Sequence, residues 1–186
     1  MHTGRHETTR TWRVQCLLLI ACMPALFCFA TTGAAAPKVG DIPPSYVGED
    51  AAGQAVDLSA HVGKVVVVTF WASWCGQCMK ELPVLENVQR QASESRLRVI
   101  AVNIDSDRDD RRRMKRRLKD FQLLMTTDED KRARVAYGVQ GIPHMVMIDH
   151  LGEVAFRHVG YSEETLPRIV EELNVLLEDA EEAATP

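Results

Sequence analysis

The sequence predicts an α/β domain built on a mixed β-sheet flanked by helices, and three observations predict it. Residues 65–70 (VVVVTF) form an unbroken β-branched and aromatic run, the composition of a strand buried on both faces. Met79, Leu82, Leu85 and Val88 then recur at helical spacing through residues 76–92. Residues 97–104 (LRVIAVNI) restore the buried-strand pattern. Strand, helix and strand at these lengths make a right-handed crossover between parallel strands.

The flanking elements follow from local chemistry. Residues 37–48 are rich in proline and glycine and read as a loop entering a short edge strand. Gly53 marks a turn and Ala55–Leu58 the return strand, so a β-hairpin is added at the N-terminal side. Residues 109–119 (DDRRRMKRRLK) read as a second helix, capped by Asp105-Ser106-Asp107. Val135–Tyr137 closes a third, short one. Met145–Asp149 and Glu153–Val159 form an antiparallel pair around His150-Leu151-Gly152. Leu166, Ile169, Val170, Leu173 and Leu177 place one apolar face on a final helix. Pro83 falls inside the first helix and should kink it. The expected order is a β-hairpin, then β-α-β-α, then β-β-α, in one domain over residues 37–178. An acidic tail, residues 179–186, is expected to fray.

Composition narrows the partners. The 186 residues carry a formal charge of −4, which gives no global reason to expect nucleic-acid binding. The densest charge cluster is Arg111–Arg117 (RRRMKRR). It reads as a solvated helix face, an attraction to anionic lipid headgroups, or a dock for an acidic partner. Arg5, Arg10 and Arg13 precede an apolar run at residues 14–30, the pattern of an export signal. Residues 1–36 are therefore expected to be a signal or anchor with its linker. Cleavage near Ala30 or Ala34–Ala35, retention as a membrane anchor, and lipidation at Cys22 stay open. Each places the domain in the periplasm or on the extracytoplasmic face of the inner membrane.

The five cysteines divide cleanly. Cys16, Cys22 and Cys28 lie in the apolar run, and Cys75 and Cys78 stand alone in the body. The pair sits where the first buried strand ends and a helix begins. The first helical turn offers unpaired N–H groups and the positive end of the dipole, so a thiolate there is stabilised. Cys75 should be the exposed nucleophile, and Cys78, one turn in, the resolving thiol. A structural zinc site needs two further ligands, and His61, His144, His150 and His158 have no spacing that supplies them. No metal is expected, and no cofactor beyond a redox-active Cys75–Cys78 disulfide.

Residues 37–178 resemble the exported thioredoxin-like reductases of the TlpA, ResA and CcmG type. The resemblance rests on Gly63-Lys64, Phe70-Trp71-Ala72-Ser73-Trp74-Cys75-Gly76-Gln77-Cys78, Glu81-Leu82-Pro83, Tyr137-Gly138-Val139, Gly141-Ile142-Pro143, and Ile148-Asp149 with Gly152. It implies a thioredoxin-like fold and a protein-disulfide oxidoreductase. The implied substrates are protein thiols and disulfides, such as apocytochrome c or copper-site assembly proteins, with electrons from a membrane donor. It further implies that Pro143 is a cis-proline facing the cysteine pair, with Ile142 beside it, and that Trp74, Gly76 and Gln77 support the site. Glu81 matches an acid common in the family, positioned to tune a thiol or take its proton; a solvated helix glutamate is the alternative. Two departures stand out. Thr69 occupies the place of the buried aspartate of thioredoxins proper, and the dipeptide between the cysteines is Gly-Gln, which leaves the redox potential open. His144, next to Pro143, is a candidate for recognition or proton handling. An oxidase or isomerase on the same chemistry is one alternative, and a copper-binding chaperone using Cys75, Cys78 and His144 as soft ligands is another.

Overall fold

The computed structural model describes residue 1 and residues 36–185; the expected signal or anchor, with Cys16, Cys22 and Cys28, lies outside the described residues. The chain forms β1 (Tyr46–Glu49), β2 (Ala55–Asp57), β3 (Val65–Trp71), α1 (Gly76–Ala92) and β4 (Leu97–Asn103). It continues with α2 (Arg108–Arg117), β5 (Leu124–Thr127), α3 (Arg132–Ala136), β6 (His144–Ile148), β7 (Val154–Val159) and α4 (Leu166–Ala184). The sheet runs β2-β1-β5-β4-β3-β6-β7. β3 pairs parallel with β4 and antiparallel with β6, and β4 pairs parallel with β5. Among the described residues no helix is long and apolar enough to cross a membrane.

All seven residues of β3 are buried, as a central strand covered on both sides requires. Its side chains alternate between two cores. Val65, Val67 and Trp71 join Leu82 and Leu85 of α1, Met114 of α2, and Ile169 and Leu173 of α4. Val66, Val68 and Phe70 join Val47, Leu58, Ala133 and Tyr137 on the other face. On that second face residues 37–44 form a strap: Gly40 donates to the Val154 carbonyl, and the Tyr137 hydroxyl donates to the Pro44 carbonyl at 2.7 Å. Gly138 has φ +64°, and a Cβ there would lie 2.3 Å from the Ala36 side chain, so only glycine permits this approach.

Two expectations are corrected. β5 was not anticipated: four residues give little periodicity, and this strand exists because β4 and β1 pair with it from either side. Side chains of α1 hold its approach. Glu86 accepts from the Gln122 and Leu123 amides. Gln89 donates to the Gln122 carbonyl and accepts from the Val99 amide, and Arg90 donates to the Asp120 carbonyl. The tail is the second correction. α4 continues to Ala184 because Ala180 packs on the core and Glu181 pairs with Arg96 at 2.8 Å. α1 runs on through Pro83 to Ala92.

Candidate active site

The end of β3 delivers the cysteine pair. After Trp71 the chain turns through residues 72–74, where Asp105 accepts from the Ser73 amide at 3.0 Å and from its hydroxyl at 3.2 Å. Asp105 is itself buried and takes a further bond from Asn103. Of the anticipated capping triplet only Asp107 caps α2, while Asp105 turns inward to fix the loop before the cysteines. Sequence reasoning missed that role, because both aspartates have the composition of a cap.

Cys75 is the N-cap residue of α1, in an extended conformation, and the Cys78 amide donates to its sulfur at 3.1 Å. Gly76 opens the helix. Cys75 and Cys78 are disulfide-bonded, with Cα atoms 5.3 Å apart. Their exposures differ in the expected sense: 8% for Cys75 and 0% for Cys78. A sulfur at this cap receives both a backbone donor and the positive end of the helix, which favour its ionised form once the disulfide opens.

The remaining candidates gather around the pair to different degrees. Trp74 stands exposed beside it, at 71%. Ile142 and Pro143 are joined by a cis peptide bond, and Ile142 packs against the core cluster that contains both cysteines. The Pro143 carbonyl accepts from the Gly160 amide at 2.8 Å, and the Gln77 side chain lies over Gly160. Val159, one residue earlier, is largely exposed. Gln77 and Gly160 thus bring the end of β7 to the start of α1, with Ile142 packed on the cysteine cluster and Trp74 exposed one residue before Cys75. Val159 and Gly160 were not anticipated, since neither carries a chemical signal in the sequence.

Glu81 is not solvated. It is 2% exposed, and the Thr69 hydroxyl donates to it at 2.8 Å. Thr69 takes the place that the resemblance gives to an aspartate in thioredoxins proper, and here Glu81 comes to it from α1. Burial pushes the Glu81 carboxyl up to about 7, the Thr69 bond drawing it back only in part. Glu81 lies one turn beyond Cys78 on the inward face. Tyr161, in the same cluster as the cysteines, has its phenol raised by burial and by the Glu81 and Glu163 charges.

His144 belongs elsewhere. Along β6, Met145 joins the core of the cysteines, whereas His144 meets Phe70 edge-on with ring centroids 6.1 Å apart. Its Nε2 lies 3.3 Å from Arg157 Nη2. Burial, and then the Arg157 charge, hold it down to about 4. Alternation on a strand puts this ring on the face away from the disulfide, so it does not join the cysteines as a third soft ligand. Among the described residues no three His, Cys, Asp or Glu side chains cluster as a metal site would require.

The Redoxin family profile matches residues 32–173. The thiol-disulfide oxidoreductase ResA of Halalkalibacterium halodurans is 28% identical over 125 residues, 66% of this chain and 69% of the relative. ResA of Bacillus thuringiensis subsp. konkukian is 30% identical over 119 residues, 63% of this chain and 67% of the relative. Among solved structures, a Chlorobium tepidum protein assigned as the thiol:disulfide interchange protein DsbE superposes with a TM-score of 0.69 at 27% identity. It covers 77% of this chain and 99% of its own.

Proposed function

Since this chain belongs to the Redoxin family and is a protein-disulfide oxidoreductase of the ResA and DsbE type, we propose that it works outside the cytoplasm as a reductant of disulfides in specific proteins. Cys75 is the attacking sulfur and Cys78 the resolving one. The observation that carries this assignment is the Cys75 sulfur at the N-cap of α1, accepting the Cys78 amide and more exposed than its partner.

In the reduced protein the Cys75 thiolate attacks a substrate disulfide, forming a mixed disulfide and expelling one substrate thiolate. Cys78 then loses its proton, attacks the Cys75 sulfur and releases the second substrate thiolate. The protein gains the Cys75–Cys78 bond and gives two electrons to the substrate, whose two released thiolates take their protons from Glu81 and from solvent. Glu81, poised near 7 and buried one turn from Cys78, is the acceptor of the Cys78 proton. Trp74, Gln77, Ile142 and Pro143 line the surface on which the extended substrate segment lies. A dithiol donor at the membrane returns the electrons, and the basic and apolar segment before residue 31 directs export. The substrates we assign are those the sequence resemblance implies, proteins of the apocytochrome c or copper-site assembly class.

The test has two arms. Alkylation of the reduced protein across pH should give Cys75 a thiol distinctly more acidic than the free value of about 8.5. Mixed disulfides trapped by a Cys78→Ser protein in its host should be exported proteins. A thiol of ordinary acidity, or trapped partners confined to the cytoplasm, would refute the reading. A potential above about −150 mV would reassign the protein as an oxidase.

A further inference from the structure

The charge of the body is unevenly spread. Residues 37–186 carry nineteen basic and twenty-five acidic residues, yet residues 108–119 hold eight of the former and two of the latter. That segment carries +6 and the remainder of the body −12, so the domain has one strongly positive pole.

Beside this segment lies a cavity of about 470 Å³, within the size range of ligand pockets. It opens at the carboxyl ends of the parallel strands, where Trp71, Asn103 and Thr127 are the last residues of β3, β4 and β5, the usual place for a binding crevice in such sheets. Trp71, Met114, Leu118, Phe121 and Met125 give it an apolar floor, Arg108, Arg111, Arg112, Lys115 and Lys119 a cationic wall, and Glu49, Asp50 and Glu129 an acidic rim, so the basic residues outnumber the acidic ones. Arg111 and Arg113 are committed to Glu129 and Asp110, and Arg112 lies 3.8 Å from Asp109. No ion pair among the described residues engages Arg108, Lys115 or Lys119. The Trp71 indole N–H, buried in this lining residue, has no acceptor among the described residues. Unmatched cations beside apolar surface, with an unpaired buried donor, suit an acidic occupant carrying a large apolar side chain.

We propose that this cavity is a docking site for an acidic segment of the redox partner, one apolar side chain entering the floor while flanking carboxylates pair with Lys115 and Lys119. Trp71 lies four residues before Cys75 in the chain and in the same core cluster as both cysteines, so a partner seated here lies on the disulfide's side of the sheet. A bilayer is the poorer fit. A flat headgroup layer would meet the outward residues of α2, such as Arg116 and Arg117, and leave a concave apolar floor empty.

This deepens the reading of the chain as a reductant of protein disulfides, and the test separates the two. The probe is a cysteine-free, fluorescently labelled peptide with four acidic residues around a central phenylalanine, titrated with the full chain. Its controls are the same peptide with lysines replacing the acids, and vesicles of mixed phosphatidylglycerol and phosphatidylcholine. The acidic peptide should bind at least about tenfold tighter than the lysine peptide and weaken with added salt. Lys115→Glu with Lys119→Glu should cost about tenfold in affinity. So should Ala51→Trp, a substitution at an exposed lining residue. Insulin reduction by all variants should equal the parent's. Equal binding of the two peptides, indifference to Ala51→Trp, or vesicle binding that displaces the acidic peptide overturns the cavity proposal. Loss of reductase chemistry in the unaltered chain would refute the parent reading instead.

Discussion

Glu81 and His144 are both buried ionisable groups, and they stand on opposite faces of the sheet. Each is 2% exposed, and each is shifted toward its neutral form by burial. Their surroundings then part. Glu81 takes one hydroxyl bond from Thr69 and lies on the helix of the cysteines, ready to change charge near neutrality. His144 stacks edge-on to Phe70 next to the Arg157 guanidinium and stays neutral down to about 4. A displaced pKa is thus not itself the mark of a working residue. What distinguishes the two is the face of the sheet they occupy, and only one face holds the cysteine pair.

The largest expected effect sharpens that contrast. Cys75→Ser should remove insulin-disulfide reduction entirely while leaving the pH dependence of stability unchanged; sustained turnover by this variant would break the assignment. Next, Glu81→Gln should slow turnover by about 10²-fold and erase the limb of the pH–rate profile near 7. A retained limb would transfer the proton to another group.

Stability against pH tests both groups at once. Glu81 is raised in the folded state, so its contribution is full below 4.5 and is lost as pH rises through about 7. His144 is lowered, so its contribution is full above 6.5 and is lost as pH falls through about 4. In the parent the two slopes oppose each other between 4.5 and 6.5. Glu81→Gln should unmask a stability that rises with pH there, and His144→Gln one that falls. Each change should be on the order of 2–3 kcal/mol across the window, read from urea unfolding at stepped pH. His144→Gln should leave the limb of the rate profile in place. The smallest effect belongs to Thr69→Val. Losing its bond to Glu81 should cost about 1 kcal/mol and move the kinetic limb to higher pH. A downward move would mean that Thr69 does not favour the ionised carboxylate.

Much of this was legible in the sequence where the signal was long or chemically singular. VVVVTF fits a central strand, and two cysteines at the following helix start marked the pair that the structure joins as a disulfide. β5 was illegible because Leu124–Thr127 holds no pattern apart from its neighbours in the sheet. The last turns of α4 were hidden by their acidity, which says nothing of Arg96 waiting across the fold. Thr69 and Glu81 were each noticed, yet their meeting depends on the rotation of α1 over β3. Asp105 was misread because a capping aspartate and a loop-fixing one have identical local sequence signatures.

Glu86, Gln89 and Arg90 fasten residues 120–123, which lead from the basic segment 108–119 back to the sheet, from the same helix that begins at the cysteine pair. The basic segment is therefore no portable cassette. Transplanted into a relative without those three side chains it would arrive with several backbone amides and carbonyls unclaimed. Chimaeras that swap this segment between proteins should exchange the matching stretch of α1 along with it.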